Sequence, residues 1–280
     1  MKIRINGTDA DIRPETEKTV GEILSALEVW LEGTGHRLSG LGIDGTAMTT
    51  DSMGTCFGRD IDTVDILDIY TSSISELFAE CLLHVLETIN AYEAADFEEK
   101  GPLAIMWKES PAAKMLAEQN PGLSEWVTKT FSGEGSSPQA LRTVIEERLR
   151  ELREPTGEME RTTVLVADIC ARLEELPLDI QTGKDVRAAE TISIFSGIAE
   201  KVFRIYSILR NTGFPVGEIK VGDLPINDFM AEFHTSLKEL LSAYEQHDTV
   251  LVGDIAEYEM APRLRGMHAA VLNAVKGIRL

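Results

Sequence analysis

The sequence predicts an α+β protein: a small N-terminal β-rich domain followed by a predominantly α-helical bundle. Three observations carry this. Apolar residues alternate with polar ones around Ile3, Ile5, Val64, Ile66 and Ile69, as in half-buried strands. From Ser73 onward the apolar period lengthens to that of helices. A seven-residue segment in the helical part recurs almost unchanged.

The N-terminal elements come in the order strand, strand, helix, strand, strand. Ile3 and Ile5 alternate with Lys2 and Arg4, and Asn6-Gly7 is a two-residue hairpin signal. Ala10 and Ile12 give the return strand. Thr19-Val20-Gly21-Glu22 is a capping box, in which hydroxyl and carboxylate satisfy each other's free backbone N–H groups. Val20, Ile23, Leu24, Leu27, Trp30 and Leu31 follow at helical spacing, and Gly33 and Gly35 end the helix. Leu41 and Ile43 lead into a turn at Asp44-Gly45.

This order, with the helix start Thr19-Val20-Gly21-Glu22-Ile23-Leu24, resembles the ubiquitin-like β-grasp superfamily and its small sulfur carriers over residues 1–71. Sulfur carriers end in a free Gly-Gly that is adenylated. Here Ile69-Tyr70-Thr71-Ser72-Ser73 closes the domain and the chain continues. The resemblance therefore implies the other common use of the fold, protein binding.

Residues 72–131 read as a helical connector. Ile74 through Tyr92 form one apolar face capped by Ser72 or Ser73, and that helix is expected to reach Phe97. Gly101-Pro102, Ser110-Pro111 and Asn120-Pro121-Gly122 predict breaks between short helices carrying Trp107, Leu116 and Trp126. Residues 132–138 read as a flexible linker. A helical bundle is expected over 137–280, with helices ended near Pro155 and Pro177. Within it Ile192, Phe195, Ala199, Val202, Tyr206 and Leu209 make an a/d seam. Thr163-Val164-Leu165-Val166-Ala167-Asp168-Ile169 recurs as Thr249-Val250-Leu251-Val252-Gly253-Asp254-Ile255, identical at six of seven positions at an offset of 86 residues. The offset exceeds solenoid periods, so two related helical units are expected.

Composition excludes several functions. With 27 basic and 47 acidic residues the net charge is −20. Nucleic-acid binding needs clustered Lys and Arg to neutralise phosphates, and attraction to an anionic membrane needs the same. Neither a nucleic acid nor a membrane is expected as a partner. The N-terminus has no apolar leader region and no run of about 18 apolar residues occurs, so a cytoplasmic location is expected.

Catalytic constellations are missing. Cys56, Cys81 and Cys170 form no CxxC, and Cys56 is the one expected to be exposed. His36, His84, His234, His247 and His268 have no metal-like spacing. Gln181-Thr182-Gly183-Lys184 lacks the P-loop glycine, and no cofactor is expected. The repeated Asp168 and Asp254 are the remaining metal or acid–base candidates, provided that they share a pocket with a histidine. The expected function is a non-enzymatic adaptor, scaffold or chaperone-like regulator, for example of an exported or flagellar assembly. Nine methionines suit adaptable apolar contacts. Trp107, Trp126, Phe195 and Val202 are the candidate partner-binding residues. The partner would be another protein or a second copy, making a homodimer on the seam. The alternatives are a metal-dependent enzyme using the repeated carboxylates and a structural homo-oligomer.

Overall fold

The structure is a computed structural model that describes all residues except 15, 33, 136, 279 and 280, together with the side chains of 32, 50, 51, 53 and 278. The chain divides into two compact units, residues 1–145 and 146–280.

In the first unit, β1 (Lys2–Ile5) turns at Asn6-Gly7 into β2 (Thr8–Asp9). Helix α1 (Val20–Glu32) leads to β3 (His36–Ile43) and β4 (Thr46–Ala47), then to α2 (Thr50–Cys56) and β5 (Ile66–Ser73). The sheet order is β2-β1-β5-β3-β4, with β1 parallel to β5 and the other pairs antiparallel. Both hairpin turns, Asn6-Gly7 and Asp44-Gly45, have two successive positive φ angles, which match the twist of the strands they join. Glu22 and Thr19 cap α1 reciprocally. Its Val20, Ile23, Leu24 and Leu27 pack with Ile3, Leu41, Ile43, Leu67 and Ile69. Gly21 donates its N–H to the Phe57 carbonyl at 2.9 Å, and a Cβ there would lie 2.9 Å from that oxygen. The return strand falls at Thr8–Asp9 rather than at Ala10 and Ile12. Of the two glycines expected to end α1, Gly33 lies outside the described residues and Gly35 has φ +72°.

Four helices follow: α3 (Ile74–Ala94), α4 (Phe97–Glu109), α5 (Pro111–Gln119) and α6 (Pro121–Phe131). Ser73 and Glu76 form a complete capping box for α3, which ends at Ala94 and not at Phe97. Ser110 and Asn120 cap α5 and α6, each with Pro as the first helical residue. Gly101-Pro102 makes no break; both residues lie inside α4. Ser136 of the expected linker lies outside the described residues.

Helix α7 (Pro138–Arg153) carries the boundary between the units. The second unit continues with α8 (Pro155–Gln181), α9 (Asp185–Asn211), the short hairpin β6 (Lys220–Val221) and β7 (Leu224–Pro225), then α10 (Ile226–Glu245) and α11 (Thr249–Ile255). A π-helical turn, Ala256–Met260, joins α11 to α12 (Ala261–Ile278). Helix α7 ends at Arg153, as expected beside Pro155, which opens α8 at the position where its missing N–H costs nothing. The stop expected at Pro177 is not made: that residue lies within α8. No described helix is long and apolar enough to cross a membrane.

The two copies of the repeat lie on α8 and α11, and the helices that carry them run antiparallel in contact. Gly253 meets Pro177, the Cys170 thiol donates to the Ala261 carbonyl at 3.3 Å, and Thr162 Oγ1 is 3.0 Å from His268 Nε2.

Candidate functional site

Helices α9 and α10 line an open apolar recess in the second unit. The a/d seam of α9 is buried: Phe195 is 2% exposed, Val202 0% and Leu209 1%. Phe203 stands beside that seam and meets Phe233 of α10 edge-on, with ring centroids 5.2 Å apart. Further along, the helices leave an open groove of about 540 Å³. Phe195, Ala199 and Leu240 form its floor, and Ile192, Phe203, Leu237, Leu241 and Tyr244 its walls. Leu241 is 57% and Tyr244 49% exposed, so this apolar surface is open to solvent. Its volume is in the range of ligand-sized clefts.

Glu200 lines the same groove, and behind it stands a buried ionic network. Arg204 donates to Glu200 at 2.9 Å and grips Glu151 with two bonds, 2.7 and 3.0 Å. The Lys201 ammonium lies among three carboxylates, 2.6 Å from Glu147, 3.8 Å from Glu151 and 3.3 Å from Glu158. Arg161 and Arg150 reach the other side of Glu158. Glu151 and Glu158 are 0% and 2% exposed. Burial pushes the Glu151 carboxyl up to about 7, against the pull of Arg148 and Lys201. Burial opposes the charge of Lys201 too, but its bond to Glu147 and the charges of Glu147, Glu151 and Glu158 hold its pKa above the ordinary value. The cluster thus fixes α7, α8 and α9 to one another through charge-assisted bonds. Its carboxylates face an ammonium that already occupies their centre.

The candidate partner-binding residues fall in different places. Trp107 is 2% exposed and packs edge-on against Phe131, 5.8 Å away, so it is a core residue and not an exposed anchor. Trp126 is half-buried. Val202 is fully buried within the chain's own bundle, whereas Phe195, though buried, is the floor of the groove. The seam is thus filled internally along most of its length.

Asp168 and Asp254 are both exposed and are not brought together. Gly253 is level with Pro177, so Asp254 lies about two helical turns, roughly 12 Å, along the axis from Asp168. Among the described residues no group of three or more His, Cys, Asp or Glu is arranged to hold a metal ion. Cys56 is 8% exposed and sits 3.1 Å from Met48 Sδ, contrary to the exposure expected of it. Burial pushes Cys81 up to about 11 and raises Cys170, which makes both poor nucleophiles.

Sequence reasoning missed the ionic network and the outer wall of the groove. Glu147, Arg148, Arg150 and Glu151 belong to the stretch from Glu146 to Arg153, which the sequence shows only as basic residues alternating with Glu. The signal for the groove was present: Leu240, Leu241 and Tyr244 widen the apolar stripe of α10 beyond what one packing face needs.

Known proteins resemble the chain as follows. Residues 1–73 match the model of the TP0873 N-terminal domain. Residues 158–270 match a domain of unknown function, DUF8042, a span that includes both copies of the repeat and both walls of the groove. An uncharacterized protein of Treponema pallidum (strain Nichols) is 23% identical over 279 residues, covering the whole of both chains. No solved structure matches.

Proposed function

We propose that the protein is a cytoplasmic, non-enzymatic adaptor of chaperone-like kind, whose α9–α10 groove holds an amphipathic helix of a partner protein. A subunit of an exported or flagellar assembly is the kind of partner intended. The observation that carries the reading is the open groove, with Leu241 and Tyr244 exposed above a floor of Phe195 and Leu240. Helix-in-groove recognition uses anchors at i, i+3 or i+4 and i+7 in a channel of this kind. Each Leu or Phe of the partner that is fully buried there contributes roughly 1.5–3 kcal/mol. Glu200 lines the groove, and α10 as a whole carries four acidic residues and one lysine, so a basic helix is favoured over an acidic one. The N-terminal domain is read as a ubiquitin-like β-grasp acting as a second protein-binding surface. Its five-stranded mixed sheet packed on α1 supports that reading.

The test is affinity capture from the native cytoplasm with the full chain and with a Leu241→Lys, Tyr244→Lys variant. A stoichiometric protein held by the parent and lost by the variant is the expected result. A partner held equally by both, or none held by either, would overturn the reading.

A further inference from the structure

The repeated segment is helical in both copies, and its residues fall into the same two sets. Val166 and Ile169 in the first copy, and Val252 and Ile255 in the second, are at most 5% exposed. Core packing accounts for those identities. It does not account for Val164 and Leu165, exposed by 67% and 45%, or for Val250 and Leu251, exposed by 72% and 44%. Exposed helical positions impose no packing demand, and Val is a poorer helix former than Ala, Glu or Lys there. Asp168 and Asp254 share this outward face, one turn beyond the Val-Leu pair. Neither has an ion-pair partner among the described residues.

The antiparallel packing of α8 on α11–α12 sets the geometry. Pro177 is level with Gly253, Cys170 with Ala261 and Thr162 with His268. A local two-fold axis therefore passes near Arg172 and Tyr258. It relates the two Val-Leu ledges, about 22 Å apart along the helices at 1.5 Å per residue.

We propose that the ledges are two equivalent docking sites, each taking one copy of the same basic amphipathic helix, so that the helical unit binds its partner two at a time. Val and Leu receive the apolar side chains of that helix, and the unpaired aspartate one turn on receives its Lys or Arg. The net charge of −20 favours the same occupant. Each ledge is a single helical turn and far smaller than a standard interface, so a single helix binds each ledge weakly and independently, and a partner that presents two linked copies binds more tightly. These sites are separate from the α9–α10 groove.

The test uses the full chain with the groove closed by Leu241→Lys, and a 14-residue Leu/Lys amphipathic helical peptide as the probe. Calorimetric titration at 0.15 M salt is expected to give two sites of equal affinity. Leu165→Lys with Asp168→Lys halves the stoichiometry, Leu251→Lys with Asp254→Lys halves it as well, and all four together abolish binding. All four positions are exposed, so an unchanged far-ultraviolet circular dichroism spectrum is expected. If a pair does alter the spectrum, Leu165→Ser or Leu251→Ser alone replaces it, with the same halving expected. A single site, two sites more than tenfold apart in affinity, or a stoichiometry that either pair leaves unchanged would overturn the proposal.

Discussion

The sheet domain and the helical unit are held together in different ways. The core of the first is apolar throughout, built from Ile3, Val20, Ile23, Leu24, Leu41, Leu67 and Ile69. Its ion pairs, such as Lys2–Asp9 and Arg59–Asp44, stand at the surface. The helical unit buries Glu151, Glu158, Asp179 and His268; among the described residues these are the buried ionisable acids and histidine of the whole chain. Apolar burial is non-directional and tolerates small shifts. A buried ion pair does not, because either partner left alone is an uncompensated charge. The lesson is that the sheet domain rests on pattern and turns, whereas the helix register beside the groove rests on a few charges.

The largest effect expected from this contrast follows removal of Lys201. Lys201→Met leaves Glu147, Glu151 and Glu158 facing one another without their shared cation. A loss of about 3–5 kcal/mol is expected for breaking such a buried cluster. Arg4→Met, which removes surface pairs with Asp9 and Asp68, is expected to change stability by at most about 1 kcal/mol. Hydrogen exchange read by mass spectrometry separates the two. Protection should fall across residues 146–280 in the first variant and stay unchanged over residues 1–73. Equal and small effects from both substitutions would break the comparison.

The same charges give the helical unit a dependence on pH that the sheet core lacks. His268 is buried, its Nε2 within 3.1 Å of Thr162 Oγ1 and of the Met159 carbonyl, and burial lowers its pKa below the usual 6.5. The unfolded chain therefore takes up a proton that the folded chain refuses. The stability that neutral His268 provides is present above about pH 6.5 and is lost as the pH falls toward its folded value. Glu151 works in the opposite sense. Its folded pKa lies at about 7 against the ordinary 4.5, so its contribution is full below 4.5 and is lost as the pH rises through 7. Urea midpoints compared between parent and variant isolate each group. The advantage of the parent over His268→Gln should shrink on going from pH 7 to pH 5, and its advantage over Glu151→Gln should grow. A difference independent of pH in either case would remove that group from the argument.

The same division decides what was legible in the sequence. Local rules read well: the Thr19/Glu22 capping box, the Ser73 cap of α3, the Asn6-Gly7 and Asp44-Gly45 turns and the long apolar face of α9 all stand where the residues place them. Helix α2 was missed because Thr50-Asp51-Ser52-Met53-Gly54-Thr55-Cys56 has poor helix propensity and no apolar period. Pro155 does separate α7 from α8, but Pro177 stops nothing, because a proline's effect depends on its place in the helix, which spacing alone does not give. Lys201 and Glu151 were invisible for a deeper reason. A charged residue on a helix looks the same whether it meets water or a charge on another helix, and only the tertiary structure distinguishes the two. Of the groove, the floor residue Phe195 was recognised and the wall of Leu241 and Tyr244 was not.

The repeat offers a smaller and sharper comparison. Its one difference puts Ala167 in the first copy where the second has Gly253. Ala167 is exposed, but a Cβ at Gly253 would lie 3.3 Å from the backbone and ring of Pro177. Gly253→Ala therefore needs Pro177 to give by a few tenths of an ångström, and an overpacking cost of about 2–3 kcal/mol is expected, offset by the ~1 kcal/mol of helix propensity that alanine brings. Ala167→Gly creates no clash and should cost about 1 kcal/mol, from helix propensity alone. Thermal unfolding of the two variants should rank them in that order. The reverse order would mean that the contact at Pro177 relaxes freely and that Gly253 is not needed for close packing.

The smallest stability effect is expected in the groove wall, and there the contrast between structure and use is greatest. Leu241 is 57% exposed and makes little of the core, so Leu241→Ala should leave the urea midpoint within about 0.5 kcal/mol of the parent. Phe195→Ala removes a floor residue that is 2% exposed and should cost about 3–5 kcal/mol. If the groove is a recognition surface, the two substitutions must diverge when binding is measured on folded protein: Leu241→Ala should weaken capture of the partner several-fold while stability stays constant. A Leu241→Ala protein that is destabilised as much as Phe195→Ala would show that this side chain belongs to the core, and the groove would lose its outer wall as a binding feature.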